Sequence, residues 1–280
     1  MAETILSMHG IQKYFPGVHA LNDARFELFA GEVHALVGEN GAGKSTLVKI
    51  LSGIYQKDEG IVEVFGEPRD ILSPIQAQEL GISIIHQELN LMRDLTVAEN
   101  IYIGREPMRG IVLDKKKQNS MAQELLSSLN IELNAKTPVK ALSVAKQQMV
   151  EIAKALSYKN TRILVMDEPS AALTAAEIEE LFRFIRELKA KGVGVIYISH
   201  RMDELKQISD RITVMRDGQY IGTVKTDEAD INKIISMMVG RVIYEEPKQV
   251  SGVAQDAEIV LEVKGLRSCD VKDVSFSLRR

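Results

Sequence analysis

Gly38-Glu39-Asn40-Gly41-Ala42-Gly43-Lys44-Ser45-Thr46 separates the apolar run Val33-His34-Ala35-Leu36-Val37 from the helix-like Leu47-Val48-Lys49-Ile50-Leu51, which Gly53 stops. The order is strand, glycine loop, helix, with the pattern G-x-x-x-x-G-K-S in the loop. Glycines let the backbone curl so that successive N–H groups point at one anion, and the helix N-terminus adds its partial positive charge. Lys44 is placed to reach terminal phosphates and the Ser45 hydroxyl to hold Mg²⁺. The stretch from Gly38 to Thr46 therefore predicts a nucleotide phosphate site.

Upstream, Ile5-Leu6-Ser7-Met8 and Ala24-Arg25-Phe26-Glu27-Leu28 alternate like short strands around a turn at Phe15-Pro16-Gly17. With Ile61-Val62-Glu63-Val64-Phe65 they predict a small antiparallel layer beside the loop strand. Gly81-Ile82-Ser83-Ile84-Ile85-His86 reads as a buried strand leading into Gln87. From about 91 to 158 the period turns helical, with Met121, Leu125, Leu126 and Leu129 on one face and Met149, Ile152, Ala153 and Leu156 on another. An all-helical insertion is expected there, with Lys115-Lys116-Lys117 as a solvated helix end. Strands return at 163–166, 195–198 and 212–215, and Asp217-Gly218 predicts a hairpin turn into 220–224. Between them lies an amphipathic helix with Ile178, Leu181, Phe182, Ile185 and Leu188 inward, started by a Thr174–Glu177 capping box. The alternation predicts an α/β domain with a mostly parallel sheet.

Composition sets the bounds. The 280 residues are 45% hydrophobic and 26% charged, as in soluble globular proteins. A net charge of -4 gives no basic footprint, so nucleic acid is not an expected partner. One cysteine, Cys269, excludes an internal disulfide framework and suits a reducing compartment. No apolar run approaches the ~20 residues of a membrane helix. The acidic start Met1-Ala2-Glu3-Thr4 lacks a signal-peptide core. A cytoplasmic chain is expected, free to dock on a membrane protein.

A phosphate loop needs a carboxylate for Mg²⁺ and, for hydrolysis, a base for water. Ile163-Leu164-Val165-Met166-Asp167-Glu168-Pro169 offers two adjacent acids at the end of a buried strand, where a cation or proton must satisfy them. Asp167 is assigned to Mg²⁺ and Glu168 to the attacking water. His200, ending Val195-Ile196-Tyr197-Ile198-Ser199, is a candidate for the γ-phosphate or its water. Gln87 is a candidate for Mg²⁺ or the water through its amide. Ser143 precedes a helix at Met149–Leu156 and is either an ordinary cap or part of a second phosphate contact. His9, His19, His34 and His86 have no metal-ligand spacing and read as structural.

Glycine loop, Gln87, Leu142-Ser143, Asp167-Glu168 and His200 occur in the order of ATP-binding cassette (ABC) ATPases, which the chain resembles over residues 3–243. The resemblance implies a RecA-like P-loop NTPase core with an antiparallel β layer and a helical subdomain, and ATP with Mg²⁺ as cofactors. It also implies that Phe15 (or its neighbour Tyr14) stacks on adenine and that Gln87 couples the site to a membrane partner. Leu142 to Gln147 resembles the signature motif, so Ser143, Ala145 and Gln147 are implied to contact the site of a facing cassette. The usual signature has two glycines and a glutamine where this chain has Val144, Ala145 and Lys146, and the Ala145 methyl restricts backbone approach to the facing γ-phosphate. Thr174 stands where many cassettes have an aspartate and is explained by its cap. His86 to Ile101, Gln147 to Leu156, Ser199 to Glu204 and Met238 to Arg241 resemble the tandem ATPases of ribose-, galactose- and xylose-type importers.

That resemblance meets an internal repeat. Glu258 to Leu266 matches Glu3 to Ile11 in pattern, and Val271 to Leu278 matches Leu21 to Leu28. The expected organisation is an ATPase domain at 1–244 with its helical subdomain at about 91–158. A polar linker at 245–257 and the opening strands of a second cassette at 258–280 follow. Implied partners are a second cassette, an integral permease on the inner face of the cell membrane and, indirectly, an external sugar-binding protein. The competing readings are a soluble cassette acting on ribosomes or DNA repair, which should show basic arms or long helical insertions, and a nucleotide-gated module without hydrolysis.

Overall fold

The computed structural model describes residues 3–158, 160–240, 257–268 and 273–280. The chain divides into two compact units, Met1–Val242 and Ile243–Arg280. The larger runs β1 (Thr4–Phe15), β2 (Val18–Phe29), β3 (Val33–Val37), α1 (Lys44–Leu51), β4 (Glu59–Val64), β5 (Glu67–Pro68), α2 (Pro74–Glu79) and β6 (Ile82–Ile85). It continues through α3 (Val97–Ile101), β7 (Met108–Arg109), β8 (Val112–Leu113), α4 (Lys115–Ser128), α5 (Val144–Leu156), β9 (Ile163–Asp167) and α6 (Ala175–Ala190). β10 (Gly194–Ile198), α7 (Met202–Ile208), β11 (Arg211–Arg216), β12 (Gln219–Lys225) and α8 (Ile231–Val239) complete it.

A six-stranded sheet of order β12-β11-β3-β10-β9-β6 carries the unit. All its pairings are parallel except β11–β12, which returns through Asp217-Gly218. Those two residues have φ of 51° and 77°, the positive pair that a two-residue hairpin turn demands. β3 and β10 are buried at every residue, because helices cover one face and a second sheet the other. Val33, Ala35 and Val37 therefore pack toward α5 and α6, while Leu36 packs toward β1, β2 and α1. On α6 the five residues expected inward are buried, and Thr174 and Glu177 form the expected capping box.

The second sheet, β2-β1-β4-β5, is antiparallel. Its first two strands are 12 residues each, longer than the alternating segments of the sequence suggest. The register slips between Met8 and Ile11, at Gly10, and again between Ile11 and Lys13, opposite Asp23; these two residues take φ of 61° and 56°. This bulge breaks the alternation without breaking the strand, so a period-2 pattern undercounts it. The region 91–158 also departs from an all-helical insertion, since β7 and β8 form a small hairpin between α3 and α4. Asp114 then caps α4, accepting from the Lys117 N–H at 2.9 Å, so the lysine run is the first turn of a helix.

In the smaller unit β13 (Ile259–Leu266) and β14 (Val274–Arg279) form an antiparallel hairpin. Leu261 pairs with Leu278, Val263 with Phe276 and Leu266 with Val274. In β1 and β2 the corresponding pairs are Leu6–Leu28, Met8–Phe26 and Ile11–Ala24. Gly265 and Asp273 have φ of 59° and 57°, repeating the bulge at Gly10 and Asp23. The expected linker lies outside the described residues except for Ala257, as do Cys269 and the Val271-Lys272 part of the repeat.

Candidate functional site

The glycine loop joins the buried end of β3 to α1. A side chain at Gly38 would meet the Met215 carbonyl at 2.3 Å, and one at Gly43, where φ is 96°, would meet Leu21 at 2.7 Å. Only glycine lets the loop pass between β11 and β2. α1 starts at Lys44 with no side-chain cap, so its first-turn N–H groups stay free of side-chain acceptors among the described residues. The Lys44 ammonium donates to the Gly38 carbonyl at 2.7 Å and the Glu39 carbonyl at 3.1 Å. Burial lowers its pKa, and the charges of Asp167 and Glu168 act against that shift. Asn40 to Thr46 line a cleft of about 470 Å³ together with Val18, His19, Ala20, Asp217 and Gly218.

The two acids end β9 beside β10, with Asp167 opposite Ile198. Burial, then the Glu168 charge, raises the Asp167 pKa, while His86, Lys44 and Lys49 oppose it. Glu168 has φ of 46°, a left-handed conformation costly for a non-glycine residue, held by its N–H donating to the Ile198 carbonyl at 2.9 Å. Its Oε1 lies 3.0 Å from His200 Nδ1. The structure thus brings Lys44, Asp167, Glu168 and His200 into one neighbourhood, with His200 placed to orient Glu168.

Other expected site residues stand apart. Ile85 pairs with Met166, so the segment after β6 leaves the sheet beside the two acids, and Gln87 is exposed there. Ser143 is the exposed N-cap of α5, accepting from Lys146 N–H at 3.4 Å, and does not line the glycine-loop cleft. Gln147 Nε2 donates to the Leu142 carbonyl at 2.9 Å, bracing that turn. Ala145 is buried, whereas Val144 is exposed. The methyl expected to crowd a facing phosphate therefore turns inward, and Val144 presents the outward side chain. Phe15 packs edge-on against Tyr55 at 5.2 Å and pairs across the turn with Val18, a cleft residue. Tyr14 stacks on His19 at 4.2 Å, which moves His19 from the structural set to the cleft wall. Asp217-Gly218 was legible only as a turn, yet the Gly218 N–H donates to the Ala42 carbonyl at 3.2 Å and buttresses the loop.

Residues 21–171 match the ABC transporter family, and the chain belongs to that family. Two relatives bear the name "Putative ribose/galactose/methyl galactoside import ATP-binding protein". Number 2 of Burkholderia cenocepacia is 57% identical over 284 residues, and number 1 of Agrobacterium fabrum is 50% identical over 278. Each alignment covers 99% of this chain and 54% of the relative, so the chain spans about half the length of these relatives. A solved ATP-binding cassette of an ABC transporter in its ADP conformation superposes with a TM-score of 0.74 at 28% identity. It covers 85% of this chain and 99% of that one. A nucleotide-free cassette gives 0.73 at 28% identity, covering 85% and 95%. The fold is that of an ABC ATPase cassette, a RecA-like core with an antiparallel layer and a largely helical subdomain.

Proposed function

We propose that the chain is the first cassette of a tandem ATPase that couples Mg-ATP binding and hydrolysis to monosaccharide uptake through a membrane permease. The observation that carries the ATPase reading is Glu168, held in a strained conformation and paired with His200 beside Lys44 and Asp167. The names of the relatives support sugar import. They favour import over a soluble cassette acting on ribosomes or DNA.

The residues fit the nucleotide. α1 offers uncapped N–H groups to phosphate, and a cation would relieve the burial and like charge that raise the Asp167 pKa. Ser45 and Asp167 would hold Mg²⁺, which when bound neutralises phosphate charge. Among the described residues no group of three or more His, Cys, Asp or Glu side chains is placed to hold a metal ion. Lys44 binds the terminal phosphates, Phe15 borders the adenine side and Glu168 takes a proton from water while His200 fixes its carboxylate. Gln87 senses the site beside the acids. The Ser143 helix end, away from the loop of its own chain, contacts the phosphates of a facing cassette.

Residues 258–280 are the opening hairpin of that second cassette, because they repeat β1–β2 pair for pair. Among the described residues no helix is long and apolar enough to cross a membrane. Purified chain should bind Mg-ATP and hydrolyse it slowly, and the full-length parent should co-purify with an integral permease. Turnover by dilute chain equal to that of the intact transporter would contradict the need for a facing cassette.

A further inference from the structure

Glu204 is a buried acid that the site as described does not use. It lies in the first turn of α7 at 5% exposure. Its Oε2 accepts hydrogen bonds from Ser170 Oγ at 2.6 Å, Tyr197 OH at 2.9 Å and Ser199 Oγ at 3.3 Å. Its Oε1 is 2.6 Å from an Arg201 guanidinium nitrogen, an ion pair set off the line of a directed hydrogen bond. A carboxylate is costly to bury unless several donors converge on it, and here they do.

The donors come from separate places. Ser170 follows Glu168 by two residues and is 2% exposed. Ser199 and Arg201 flank His200, and the Arg201 N–H donates to Ser199 Oγ at 3.1 Å. Tyr197 belongs to β10, the strand between β9 and β3. The Glu168 loop and the His200 loop are thus tied to one carboxylate behind the pair they form in front at 3.0 Å. Glu168 needs such support, since its φ of 46° is a conformation that the chain leaves when unconstrained.

We infer that Glu204 is a positioning residue that locks the loop after Glu168 to the loop carrying His200, so that base and orienting imidazole keep one geometry. The inference rests on the proposed hydrolytic role of that pair. Misplacement by about 1 Å can cost about 100-fold in rate, so loosening either tie acts on turnover more than on nucleotide binding.

The test uses the 280-residue chain with Ser170→Ala and Glu204→Gln. Both should lower kcat for ATP by about tenfold or more with KM within about twofold. Equal kcat in Ser170→Ala, Glu204→Gln and wild type overturns the inference. Amide hydrogen exchange separates this outcome from failure of the ATPase reading, because it needs no turnover. Ser170→Ala should speed exchange over 199–202 as well as 169–173. Faster exchange confined to 169–173 overturns the tie even if the chain hydrolyses nothing.

Discussion

Two hairpins in this chain have one design and opposite surroundings. β1–β2 and β13–β14 share cross-strand pairs and a bulge with glycine and aspartate at positive φ. Leu6, Phe26 and Leu28 are at most 2% exposed, whereas Leu261, Phe276 and Leu278 are 48%, 50% and 56% exposed. The first hairpin covers the sheet that carries the glycine loop. The second presents the same apolar residues to solvent. Register and bulge are therefore local properties of the sequence, while burial comes from the sheet that follows.

The comparison assigns all chemistry to the larger unit, and Glu168→Gln tests that hardest. An amide cannot take the proton of the attacking water, so turnover should fall by about 10³-fold, measured as phosphate release. Equilibrium binding of Mg-ATP should persist. Unchanged turnover would remove Glu168 from its role. The next effect concerns packing. Phe26→Ala should cost about 3–5 kcal/mol in urea unfolding, against about 0.5 kcal/mol or less for Phe276→Ala. Equal costs would mean that the second hairpin is covered in solution, and the contrast would collapse.

A third contrast is electrostatic. His34 lies under the first hairpin, its ring 4.5 Å from Phe26, and burial followed by the Arg211 charge lowers its pKa to about 3. In the unfolded chain a histidine titrates near ~6.5. Below that pH the unfolded state takes a proton that the fold refuses. Stability is therefore complete above ~6.5 and falls with pH by up to about 1.4 kcal/mol per unit, or about 2 kcal/mol by pH 5. His34→Gln should flatten this slope in urea titrations at pH 7 and pH 5. An unaltered slope would place the acid sensitivity elsewhere.

How much of this was legible varied with the range of the interaction. The strand-loop-helix around Lys44, the acids after β9, the α6 capping box and the Asp217-Gly218 turn are all set by neighbours in sequence, and each is where its pattern puts it. The length of β1 was hidden because a bulge disrupts the alternation that marks a strand. The hairpin β7–β8 was hidden because two-residue strands carry no period. In the site, His19 read as structural because its place on the cleft depends on the fold of β2 over the loop. The inward turn of Ala145 follows from its phase on α5 against the core, which a motif comparison does not contain. Glu204 was invisible for the same reason, since its donors Ser170 and Tyr197 are 34 and 7 residues away.

The smallest effect asks whether the unit with the site also carries the cost of the site. Neither hairpin holds a site acid, whereas the larger unit carries Asp167, buried beside a like charge, and Glu168, on left-handed backbone. Raising the pKa of Asp167 means that the fold favours its neutral form. As pH rises through the range where an unfolded aspartate ionises, near ~3.9, the folded chain loses stability, and at neutral pH it stands at the unfavourable end. Asp167→Asn, close in shape and uncharged, should therefore raise Tm without nucleotide by about 1–3 °C, read by calorimetry at pH 7. The same change removes a holder of Mg²⁺, so the upward shift of Tm that Mg-ATP gives the wild type should shrink or vanish. A variant less stable without nucleotide would mean that the Asp167 charge stabilises the fold, and that the larger unit, like its bare copy, bears no cost for its chemistry.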